Sequence, residues 1–156
     1  DQSPGVTLLE LYDLNRAPSA NRLVNVSVRA QVGTGDNVLI PGIVVAGDSA
    51  QTFLIRAVGP TLADFGVTGT LTDPVLEVLS GQSVLANNDN WSEAADADAV
   101  RAAAVSTGAF ALPAGSADAA LLVQLEPGVY TARVSGAGTT AGEALVEVYA
   151  VAPVTD

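Results

Sequence analysis

Ala119-Ala120-Leu121-Leu122-Val123-Gln124-Leu125-Glu126-Pro127-Gly128-Val129-Tyr130-Thr131-Ala132-Arg133-Val134-Ser135 is the stretch whose pattern sets the fold class. Two β-type runs flank Glu126-Pro127-Gly128, where proline presets φ and glycine tolerates a turn, and this predicts a tight hairpin. In the second run Tyr130, Ala132 and Val134 alternate with Thr131, Arg133 and Ser135. That period of two belongs to a strand with one face in a core and the other in water.

Working outward, runs of the same kind recur at 7–14, 23–32, 38–46, 52–58, 75–79, 83–86 and 144–151. About nine strands at this spacing predict an all-β fold, a β-sandwich or jelly roll. Within 38–46 both faces are apolar, and Pro41-Gly42 removes a ladder donor and a side chain, which predicts a bulge or a sheet edge. One short helix is expected. Asn90 with Glu93 three residues on resembles a capping box, 93–105 is Ala-rich, and Gly108 follows. A face of Ala94, Ala97, Val100 and Ala104 has little volume, so this helix is expected to be a lid and not the core.

The chain of 156 residues suits one domain, and no apolar run approaches the ~20 residues of a membrane helix. There is no Cys, His or Met, and all six basic residues are Arg. A Ser or Thr nucleophile would therefore lack its usual base, so the expectation is that the chain is not an enzyme. A carboxylate-pair glycosidase is disfavoured too, because only seven aromatics are available to line a cleft. Gly33-Thr34-Gly35-Asp36 and Gly136-Ala137-Gly138 precede no helix and supply no phosphate-binding Lys, so they read as turns. A net charge of −11 disfavours nucleic acid and membrane surfaces as partners. A Met-free chain is expected to be either a processed product or an excised fragment, and removal of a signal peptide is the simplest account. With zero Cys it suits a bacterial exported protein, placed outside the cell or on its surface.

One internal repeat stands out. Gly5-Val6-Thr7-Leu8-Leu9-Glu10-Leu11-Tyr12-Asp13-Leu14 aligns without gaps to Gly142-Glu143-Ala144-Leu145-Val146-Glu147-Val148-Tyr149-Ala150-Val151. Gly, Leu, Glu and Tyr coincide, and three aliphatic positions exchange Leu for Val. Convergence of two unrelated strands is the competing reading. On the repeat reading, residues 1–18 are a donor-like strand and linker, and 19–156 are the β-sandwich module.

Arg22-Leu23-Val24-Asn25-Val26-Ser27, Gln31-Val32-Gly33-Thr34-Gly35-Asp36-Asn37-Val38-Leu39-Ile40, Ile55-Arg56-Ala57-Val58-Gly59-Pro60-Thr61-Leu62 and Asn88-Asp89-Asn90-Trp91 together resemble a β-rich repeat module of large bacterial secreted surface proteins. The resemblance implies location, and it carries no known catalytic residues. Residues 73–151 are also similar in pattern to bacterial pre-peptidase C-terminal domains, which implies a β-sandwich accessory domain of exported proteins. Some such domains bind calcium.

Asn88, Asp89, Asn90 and Glu93 gather the oxygen donors that Ca²⁺ prefers, without the order of an EF-hand loop. The bland reading is a turn that caps the helix, with Trp91 as its anchor. No other cofactor is expected. Arg56 lies within an apolar strand, where an inward charge requires a carboxylate or carbonyl partner, so a structural ion pair is expected there in preference to a substrate clamp.

The function expected from these features is an extracellular structural subunit that joins copies of itself head-to-tail by β-strand addition, with Leu8, Leu9, Glu10, Leu11, Tyr12 and Leu14 as the interface. The alternative is a carbohydrate- or cell-wall-binding or adhesin module of a larger secreted protein, with surface polysaccharide as partner. In a third reading the first strand pairs within its own chain.

Overall fold

The computed structural model describes residues 23–152. Its strands are β1 (Asn25–Val32), β2 (Gly42–Val45), β3 (Gln51–Val58), β4 (Pro74–Ser80), β5 (Ser83–Asn88), β6 (Ala119–Leu125), β7 (Gly128–Gly136) and β8 (Gly142–Val151), with one helix, α1 (Ala97–Thr107). The remaining expected strand, 7–14, lies outside the described residues, as does the linker that follows it.

Two antiparallel sheets form, ordered β1-β8-β3-β6 and β2-β7-β4-β5. Pairing first with eighth, second with seventh, third with sixth and fourth with fifth is the jelly-roll order, in which one long hairpin wraps into a sandwich. This nesting corrects the hairpin expected at Glu126-Pro127-Gly128. β6 pairs with β3, while β7 pairs with β2 and β4, so the turn carries the chain from one sheet to the other. Local residues specify a turn; they do not specify which sheet the next strand joins. Among the described strands, β4 and β5 are the one consecutive pair that ladders directly.

The alternation read in β7 holds: Ala132 and Val134 are buried, and Arg133 is exposed. β2 lies at a sheet edge, and Leu39 bridges Val134 before Pro41 interrupts the pairing, as the missing donor requires. Between the sheets, Val32, Ile55, Leu76, Val78, Val134 and Val146 form the main core. Each such side chain contributes about 1.5–3 kcal/mol when fully buried. A second cluster lies on the other face of the first sheet, where Leu54, Ala120 and Tyr149 pack under Trp91, Val100 and Ala103. The first sheet is therefore covered on both faces, and α1 is the lid its small side chains predict.

α1 begins later than the capping-box pattern predicts. Trp91–Glu93 is a short 3₁₀ turn, Ala94 is extended at φ −67 and ψ 147, and neither Asn90 nor Asp96 makes a side-chain capping bond. Burial of Trp91 sets the path here: its ring is 2% exposed, and Nε1 donates to the Pro113 carbonyl at 3.1 Å and to Ser116 Oγ at 3.2 Å. The helix ends as expected at Gly108, whose φ of 74 needs a residue without a Cβ.

Candidate functional site

The period of two places Phe53, Ile55 and Ala57 of β3 in the main core, so Arg56 faces the opposite, lid-covered side. β8 does likewise, with Ala144 and Val146 in the core while Tyr149 joins the second cluster. Arg56 and Glu147 are direct cross-strand partners in the β3–β8 register. They are 1% and 5% exposed.

Arg56 Nε donates to Glu147 Oε2 at 2.8 Å. Nη2 lies 2.7 Å from the same oxygen but off the direction of its N–H bonds, so that contact is electrostatic. Nη1 donates to the Phe110 carbonyl at 2.5 Å, and the Phe110 ring covers the guanidinium with its centroid 4.3 Å away. On the other side of the carboxylate, the Tyr149 hydroxyl donates to Glu147 Oε1 at 2.7 Å. Burial, then this hydrogen bond, pushes the Tyr149 hydroxyl up to about 12; the Glu147 charge adds to the effect and Arg56 opposes it. With both faces of the ion pair enclosed, the geometry is that of a structural pair, as expected for Arg56.

At its head β8 has a second demanding position. A Cβ on Gly142 would stand 2.5 Å from the Leu71 nitrogen and 2.6 Å from the Thr70 carbonyl carbon. There the segment at 69–71 continues the sheet beyond the end of β3: Leu71 N donates to Glu143 O and Glu143 N to Gly69 O, each at 2.8 Å.

A separate buried carboxylate, Asp118, accepts from the Gly59 N–H at 2.8 Å, the Thr61 N–H at 3.3 Å and the Thr61 hydroxyl. It ties the loop leaving β3 to the start of β6. Sequence reading missed this role, because Asp118 sits in an ordinary loop pattern far from its partners.

Of the Ca²⁺ candidates, Asn88 is committed on both ends of its amide: Nδ2 donates to the Asn90 carbonyl at 3.3 Å, and Oδ1 accepts from the Ala120 N–H at 3.0 Å. The Asn90 carbonyl also accepts from Glu93 N at 3.1 Å, and Asp89 and Glu93 are exposed. Among the described residues, no three acidic side chains converge. The two glycine-rich segments form turns, as read, and line one open cleft with Arg133, whose guanidinium is paired with Glu77. Leu8, Leu9, Glu10, Leu11, Tyr12 and Leu14 lie outside the described residues.

Among solved structures, the chain is similar to the pre-peptidase C-terminal domain of a collagenase from Bacillus anthracis, at 16% identity over 86% of this chain and 98% of that chain, with a TM-score of 0.48. No protein-family model and no curated protein matches the sequence. No described helix is long and apolar enough to cross a membrane.

Proposed function

We propose that the chain is an extracellular structural subunit, without catalytic activity, that joins copies of itself head-to-tail by adding residues 5–14 as a strand to a neighbour's sheet. The observation that carries this reading is the character of β8, the strand that residues 5–14 repeat. β8 has a ladder on each side and buried residues on both faces. A segment with that pattern has its apolar side chains satisfied only inside a sheet, and left free it would aggregate. A contact of this head-to-tail kind propagates into a filament or layer unless its rotation closes a ring.

The absence of Cys from the sequence and its resemblance to modules of secreted surface proteins support the extracellular placement. The distribution of aromatics weighs against sugar binding as the main role: among the described aromatics, Phe65 alone is largely exposed, at 63%. Deleting residues 1–15 should leave a folded module that no longer assembles, read by light scattering and thermal melting. A strand pairing within its own chain would instead lower stability without changing mass, and an intact protein that stays monomeric would refute assembly altogether. Ca²⁺ at Asn88, Asp89, Asn90 and Glu93 is tested by melting with added Ca²⁺ and with chelator, where coincident curves would remove it.

A further inference from the structure

Of the four identities between residues 5–14 and β8, three fall where the sheet is selective, and the fourth, Leu8 with Leu145, falls on a half-buried position. Gly5 matches Gly142, where a Cβ would meet the backbone of Thr70 and Leu71. Glu10 matches Glu147, the partner of buried Arg56. Tyr12 matches Tyr149, whose hydroxyl completes that carboxylate. At Leu9, Leu11 and Leu14 β8 has the aliphatic Val146, Val148 and Val151, and the segments differ in kind at Val6, Thr7 and Asp13, where β8 has Glu143, Ala144 and Ala150. Two strands that merely shared an alternating pattern would have no reason to agree at Gly142, Glu147 and Tyr149.

We propose that the place between β1 and β3 is a strand-accepting slot read by Arg56, and that its second occupant is segment 5–14 of another copy of this chain, which takes the place of Gly142–Val151. This rests on the strand-addition reading above and specifies where the strand goes. A strand without a carboxylate at this register would leave the Arg56 charge buried and unpaired, so the slot rejects it. Addition at the outer edge of β1 would not use the matched residues. That edge is three strand spacings from β3, about 14 Å, beyond the reach of a Glu10 side chain to Arg56. Each copy offers one such slot to two strands that fit it, so seating segment 5–14 of a neighbour remakes the two ladders of β8 and releases β8 itself.

The chain has no Cys, so a cross-link reports cleanly. Leu9 aligns with Val146, which faces Ala57 across the β3–β8 ladder. In the full chain carrying Leu9→Cys and Ala57→Cys, oxidation should give a ladder of covalently linked multimers. In the otherwise unaltered chain, Glu10→Gln should weaken assembly by about tenfold or more without changing the melting of the unassembled subunit. This second variant alters no residue of the sandwich and keeps the test decisive if the double variant folds poorly. Multimers that form without the disulfide would overturn the slot while leaving strand addition standing. A disulfide closed within one chain would overturn the exchange between copies, and a monomeric unaltered chain would overturn the strand-addition reading itself.

Discussion

Arg56 and Glu147 are 91 residues apart in sequence and share one buried hydrogen bond, so each is the condition for the other's burial. Removing one partner of such a pair leaves a charge without compensation. Glu147→Gln should lower the unfolding free energy by about 3–5 kcal/mol, read from the urea midpoint. The triple change Arg56→Met, Glu147→Leu and Tyr149→Phe, which removes the whole polar group, should cost less than that single change. Tyr149 supplies a pH signature. Its folded pKa, near 12, lies above the ordinary 10.0, so the native state holds the proton after the unfolded chain has lost it. This contribution is fully present below about pH 10 and disappears as pH rises towards about 12. The loss should be on the order of 1–2 kcal/mol, allowing for partial solvent screening. Urea unfolding at stepped pH should show that decline in the unaltered chain and lack it in Tyr149→Phe; parallel profiles would contradict the assignment.

At the scale of elements, the head of β8 is set by Gly142, which admits the backbone of Thr70 and Leu71. Backbone on the far side of the contact cannot rotate away as a side chain does. Gly142→Ala should therefore destabilise the fold by about 1–3 kcal/mol in chemical denaturation. On the proposed exchange, Gly5→Ala should leave that midpoint unchanged and weaken assembly. The strands themselves were legible because period-two alternation is local, as in Tyr130, Ala132 and Val134. Their pairing was not: Glu126-Pro127-Gly128 looks the same whether the next strand lies alongside or crosses to the other sheet. The start of α1 was misplaced because burial of Trp91 outweighs the local preference for a cap at Asn90. Arg56 was legible as a paired charge, since an apolar strand cannot hold it alone, but its partner was not named by any local signal. Glu147 was marked only by the repeated Glu-x-Tyr, whose meaning required the register between β3 and β8.

For the molecule as a whole, charge opposes the proposed assembly. Each copy carries a net charge of −11, so approaching copies repel before any strand can engage. That repulsion acts through solvent and is screened over about 10 Å at 0.1 M salt and about 3 Å at 1 M. The Arg56–carboxylate pair is buried and is screened far less. Salt should consequently remove the obstacle while leaving the recognition intact, and assembly should quicken with ionic strength, by about tenfold or more between low salt and ~0.1 M. The proposed exchange also requires β8 to leave two ladders at once, so copies refolded together should assemble faster than folded copies mixed afterwards. Light scattering across a salt series, run on both preparations, tests the two effects together. Assembly that weakens as salt is added would mean that exposed charge pairs hold the copies together, and equal rates in the two preparations would mean that β8 stays in place when a neighbour docks.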